Sequence, residues 1–492
     1  MKKLIVLLLA ICLAIPMVSC GNKEENGGGT TDTTGGNNVS GTGDDDRSNA
    51  VSSLPEGLDF DNSSINIVIR DRDDIAFEID PDANTVDVLA TEIARRNTSV
   101  QDTLNVAFQF QRLPGTFAQK DSFISTIRNN RQLSGNDLYD LVMGPNYSLT
   151  PLMVEGYFAN LYNVPYLDLG ADWWNGNFND ECSYAGKLYM TEGELMLSMI
   201  DSAFVMFFDT ANFRDLVPDQ DIYDIVRSGD WTLDLLSSFV KDVYVDNNGD
   251  SAKDSGDLFG MVSPAFASGR DGFQTAFGVS VTTKEDDGRI TLNFNSERNV
   301  NIYDDFYTFL HDNEGVYVNG NNDAAREDCR SMFQNGRVIF ITELLNYAGI
   351  LRGLEREYGV IPLPKYDSSQ NSYSVASEAV HSQLSVFAYS PRQEAAGAVA
   401  EMLCFLTYRD VTLDYYDTVK YRNQKTPEAV EMLDLIVSSI TSNFGAQFSS
   451  EMATPFPTPI GEKNNISDQL SSQQDRMQTL MDNFKRKIQA LP

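Results

Sequence analysis

The stretch from Ile65 to Met143 sets the strongest limit on the fold. "INIVI" (Ile65–Ile69) is a short apolar run of strand type. Val86, Leu89, Ala90, Ile93 and Val100 then recur at helical spacing, and "NVAFQFQ" alternates, with Val106, Phe108 and Phe110 on one face, as a half-buried strand does. Phe123, Ile124 and Ile127 mark a second helix. "YDLVM" (Tyr139–Met143) is a third strand, stopped by Gly144 and Pro145. Strand, helix, strand, helix, strand predicts a parallel sheet, because parallel neighbours need a long crossover and the crossover helix buries its apolar stripe on the sheet. Ligands of such open sheets sit beyond the carboxyl ends of the strands. Those ends carry "RDRDD" (Arg70–Asp74) and "GPNYS" (Gly144–Ser148), which makes Arg70, Asp71, Asn146 and Tyr147 candidate ligand contacts.

The N-terminus leads to the expectation of a protein held just outside a membrane. Lys2 and Lys3 precede an apolar run, Leu4 to Ile15, that is too short to span a bilayer and has the flanks of a signal peptide over residues 1–19. "MVSCG" then resembles a bacterial lipobox, with Cys20 the lipidated residue; an ordinary secretory signal with an incidental Cys20 is the alternative. Residues 20–58 are largely Gly, Thr, Asn, Asp and Ser, which bury too little surface to offset ordering entropy, so a flexible tether is expected. Losing Lys2 and Lys3 takes the net charge from −34 to −36, against nucleic acid as a partner, since phosphate binding needs a basic face. Cys182, Cys329 and Cys404 are odd in number and widely spaced, and read as buried free thiols. About 430 residues follow the tether, more than one ordinary core accommodates, so two domains are expected.

Further along, "KLYMTEGELMLSMIDSAFVMFFDT" reads as strand-like and carries the chain towards a second lobe. "DWTLDLLSSFVKDVYV" reads as a helix, "LFGMVSP" as a strand, and the chain ends in helical segments from about Thr426. Between that helix and strand lies "DNNGDSAKDSGD". Asp246, Asn248, Asp250, Asp254 and Asp257 have the spacing of calcium ligands in an EF-hand loop, with Ala252 giving its carbonyl. One structural calcium is the sharper expectation; an Asx-rich turn without an ion is the other. Position six is Ser251 where such loops prefer Gly, position twelve is the shorter Asp257, and no second loop of the kind occurs.

"FQNGRVIFITELLNYAGILRGLEREYGVIPLPKYD" (Phe333–Asp367), "SPRQEAAGAVAEMLCFLTY" (Ser390–Tyr408), "WTLDLLSSFV" and "DNNGDSAKDSGDLFG" together resemble, in order and spacing, the extracellular solute-binding proteins of bacterial ABC importers, the group that includes maltose-binding protein. The resemblance implies an α/β, two-lobed periplasmic-binding-protein-like (type II) clamp with a hinge of crossing strands. Lobe one would take 59–189 and 373–422, lobe two 190–372 and 423–492. It implies a monomer on the outer face of the cell membrane that hands a small solute, a sugar or oligosaccharide, to permease subunits. Sugar binders set aromatic faces against CH surfaces and carboxylates or amides against hydroxyls. "DWWNGNFND" offers Trp173 and Trp174, one expected in the core and the other, Trp174, in the cleft. The segment matching "FITELLNYAG" lines the cleft in relatives, so Glu343, Asn346 and Tyr347 are implied from lobe two, and His381 lies on the segment returning to lobe one.

Enzyme readings are poorly supported. The chain has only His311 and His381, and lacks G-x-S-x-G, H-E-x-x-H, a phosphate-binding G-x-x-x-x-G-K and C-x-x-C. Abundant carboxylates leave a glycoside hydrolase open, and a glycan-binding surface lipoprotein without a transporter is the other alternative.

Overall fold

The computed structural model describes residues 47–81, 88–264, 267–320, 322–415, 427–452 and 466–492. The signal peptide, Cys20 and most of the expected tether lie outside them. Among the described residues no helix is long and apolar enough to cross a membrane.

The predicted alternation builds the first sheet. Its strands β1 (Ser63–Asp71), β2 (Val106–Pro114), β3 (Leu141–Gly144) and β12 (Gln383–Val386) lie in the order β12-β3-β1-β2. β1 is parallel to both β2 and β3, and β12 adds antiparallel to β3. The crossovers run through helices Val88–Leu104 and Lys120–Asn130. β1 is interior and buried from Ile65 to Arg70. β2 is an edge strand, and Phe108 and Phe110 on it are half-buried.

The second sheet uses β4 (Phe204–Asp209), β5 (Tyr244–Val245), β6 (Leu258–Pro264), β9 (Val316–Asn319), β10 (Val338–Leu344) and β11 (Tyr358–Pro362). Its order is β11-β4-β10-β6-β5, with β9 also on β6, and β7 (Thr282–Lys284) and β8 (Ile290–Leu292) form a separate hairpin. On β4 the two-residue period sends Phe204, Met206 and Phe208 into one core, and Val205 and Phe207 into the other, which is continuous with that of the first sheet.

Among the described residues three segments cross between the sheets. Ala203 pairs antiparallel with Ser377, and Val375 runs parallel to Ile440. The bonds are Phe204 N–H to Ala376 O (2.9 Å), Glu378 N–H to Ser202 O (2.9 Å) and Val375 N–H to Ser439 O (2.8 Å). Beyond the third crossing, helix Ile466–Ala490 spans both halves. Leu470 and Met477 lie in the second core. Its far end meets the first half, where Lys187 donates to Gln489 O (3.0 Å) and Tyr189 Oη to Pro492 O (2.8 Å).

Two expectations are corrected. Lys187–Thr210 is not one strand: helix Leu197–Asp201 precedes β4. Thr191 to Ile200 is buried without a break, so no periodicity distinguished strand from helix. The tether does not reach residue 58. Arg47 Nη1 donates to both carboxylate oxygens of Glu194 (2.7 and 2.6 Å), its guanidinium lies 4.4 Å from the centre of the Tyr408 ring, and Ser53 Oγ donates to Glu401 (2.7 Å). Two polar side chains dock this segment, and composition does not reveal them. Cys182, Cys329 and Cys404 are free and buried, as expected.

Candidate functional site

The parallel strands of the first sheet end together at the crossing region. β1 ends in Arg70 and Asp71, β2 leads through Gly115 to Phe117, and β3 leads into helix Asn146–Val154. Arg70 is 1% exposed and its Nη2 donates to the Val380 carbonyl. A Cβ on Gly115 would stand 2.7 Å from Arg70 Cβ, so only glycine lets the β2 loop close over the arginine stem. Asp71 is exposed, and Asn146 Nδ2 donates to Gln447 O at 3.1 Å. Tyr147 is half-buried, its ring edge-on to Phe117 at 5.0 Å. Phe117 is 60% exposed, with Lys120 Nζ 4.4 Å from the centre of its ring, and was not among the aromatics singled out from the sequence. Its only sequence signal is its place just past a strand's carboxyl end.

Glu378, on the crossing segment, faces both halves. Burial pushes its pKa up, Arg326 opposes, and Asp271 and Glu343 add to the rise, while Arg72 reaches it from the first sheet. His381 beside it is buried, its Nε2 2.6 Å from Glu192 Oε1 and its Nδ1 2.7 Å from Glu378 O. Burial alone would lower the imidazole pKa, but Glu192 and the two hydrogen bonds outweigh it, and the net shift is upward. Gln383 Nε2 also donates to Glu192 (2.8 Å). His381 is thus committed to holding the crossing segment.

The remaining predicted contacts do not converge here. Trp173 and Trp174 are 6% and 4% exposed and both belong to the first core. Their indole N–H groups donate to the two oxygens of one carboxylate, Glu401, at 2.9 and 2.8 Å. Alternation of the pair required an extended loop, but Trp174 N–H closes a turn onto Ala171 O (3.0 Å), and a turn lets both rings point one way. Gly193 packs against them: a Cβ there would lie 2.6 Å from Trp173 O. Glu343, 1% exposed, accepts from Arg326 (2.7 and 2.6 Å) and Arg330 (2.9 and 3.2 Å). Burial would raise its pKa, and the two guanidinium groups hold it below its ordinary value instead. Tyr347 is fully buried, with its hydroxyl donating to Arg330 O (3.2 Å). Asn346 is exposed.

One backbone feature of the loop 246–257 matches a calcium loop. Ser251, at position six, is left-handed (φ 65°), where such loops place Gly. Its carboxylates are turned onto its own N–H groups: Asp246 accepts from Gly249 (2.6 Å) and Ser251 (3.0 Å), Asp250 from Ala252 (2.8 Å), and buried Asp257 from Asn247 (3.1 Å). Asn248 donates weakly to Asp254 (3.4 Å). Among the described residues no three acidic, histidine or cysteine side chains are grouped to hold a metal.

The chain matches no family model and no curated protein. Among solved structures it is similar to a cyclo/maltodextrin-binding protein complexed with maltotetraose, at 13% identity over 86% of this chain and 97% of that one, TM-score 0.52. It is likewise similar to UspC of M. tuberculosis, at 13% identity over 85% and 100%, TM-score 0.53. This is the two-lobed solute-binding-protein fold. The crossings at Ala203, Ser377 and Ile440 join the two halves of this fold, and Arg70 and Glu378 stand beside them, Arg70 bonded to Val380 O and Glu378 N–H to Ser202 O.

Proposed function

We propose that this protein captures a small polar solute, a sugar or oligosaccharide, between its lobes and delivers it to the permease of an ABC importer, while Cys20 carries the lipid that holds it outside the cell membrane. The observation that carries the reading is the convergence of three strand ends of the first sheet and the crossing segment on one polar cluster, beside an exposed aromatic ring at Phe117. Binding without turnover separates it from a hydrolase. The reading includes one structural calcium in loop 246–257, away from the ligand. A thermal-shift screen of mono- and oligosaccharides tests it, since a ligand that binds only the folded state raises Tm by mass action. The hit should also shrink the radius of gyration in X-ray scattering. Release of hydrolysed product from the hit overturns the proposal.

A further inference from the structure

Arg70 is the least compensated charge in the cluster. It is 1% exposed, and among the described residues its Nε and Nη1 have no hydrogen-bond partner. The Tyr147 hydroxyl is also buried and without a hydrogen-bond partner among the described residues, and as a neutral phenol beside the guanidinium it supplies no countercharge. The carboxylate that acts on it, Glu78, accepts from the Ser198 N–H (2.9 Å), and burial pushes its pKa up, weakening it as a counter-charge. Of the neighbouring acids, Glu192 has His381, Glu343 has Arg326 and Arg330, and Glu378 is drawn by Arg326 and Arg72. Burial lowers the pKa of Arg70 itself, the mark of a guanidinium whose surroundings do not replace water. Tyr147 is in the first turn of helix Asn146–Val154, whose N-cap, Pro145, brings no capping side chain, so the positive end of that helix has no side-chain acceptor of its own.

A neutral hydroxyl would supply a hydrogen-bond acceptor but no countercharge, and a buried guanidinium needs both. Resting on the solute-binding reading, we infer that the ligand carries an anionic group, a carboxylate or phosphate on the saccharide, which seats on Arg70 Nε and Nη1 and the Tyr147 hydroxyl.

The test uses the full-length protein and three matched sets of probes: neutral oligosaccharides, uronic-acid oligosaccharides and sugar phosphates. A Tm rise with either acidic set and a smaller one or none with neutral sugars is expected, and the set that responds names the group. In calorimetry, Arg70→Met should weaken that acidic ligand on the order of 100-fold, because a charge-assisted contact is lost. Without ligand, Arg70→Met should melt at or above the wild-type temperature, since it removes an unpaired buried charge. A lower Tm would make Arg70 a structural residue and overturn the inference. Arg70→Lys, which keeps the charge, serves if the Met variant does not fold, and should retain part of the affinity. A shift with neutral sugars alone overturns the anion while leaving solute binding intact. No shift with any set overturns both.

Discussion

At the scale of single residues, one carboxylate explains more of lobe one than any ring does. Glu401 accepts from both indoles, from Ser53 and from the Asp168 N–H (3.1 Å). Glu401→Ala leaves those donors buried without an acceptor and should cost about 3–5 kcal/mol. Trp174→Ala should cost a similar amount through its cavity, about 3–5 kcal/mol. Neither should change ligand affinity, and urea unfolding beside calorimetry checks both. Asp201 offers a pH test. Burial, with Glu78 and Asp74 adding, lifts its pKa from 3.8 to about 6 against the hydrogen bond that Tyr415 donates. The folded carboxyl therefore holds its proton more tightly than the unfolded one, and its ionisation costs stability above about pH 6. That cost disappears as pH falls through 6 towards 4. Asp201→Asn, whose amide oxygen can still accept from Tyr415, should stabilise the protein at pH 7 by at most about 3 kcal/mol, and the gain should vanish near pH 4 in paired melting curves.

At the scale of elements, what was legible depended on how local its cause was. β1, β2 and β3 and the two crossover helices could be read because period and turn residues sit within each segment. So could β6 after the acidic loop. Trp174 was placed wrongly because its partner is more than two hundred residues away. Phe117, Glu78 and Arg326 were missed for the same reason: each matters through a partner on another element. The docked segment at Arg47 shows this again. A chain starting at Asp59 should be less stable than one starting at Arg47 by about 1–3 kcal/mol, since it strands Glu194 and frees one site on Glu401, and chemical unfolding of the two chains measures it. The loop 246–257 makes a contrasting case. Calcium has to draw Asp246 and Asp250 off the backbone N–H groups they now accept from, so the ion should raise Tm only modestly over chelator. Identical curves would leave the Asx turns as the whole of its design.

At the scale of the molecule, the lobes are joined by more than the crossings. Lys284, on the β7–β8 hairpin, donates to Ser183 Oγ (2.9 Å) and pairs with Asp180 (3.1 Å) of the first lobe. Lys284→Ala should favour the open form, weakening the ligand a fewfold through a larger closing cost, and scattering of the free protein should show a larger radius. Helix Ile466–Ala490 adds a constraint of another kind. Its 25 residues make a rod of about 37 Å whose two ends are fastened to different bodies that already share a pivot. Rod, pivot and bodies form a closed linkage. A simple jaw-like swing would have to stretch the rod, which a helix does not do, or peel one end off. The motion that keeps its length is rotation about a line through both fastenings, so the lobes should wring against each other more than they gape.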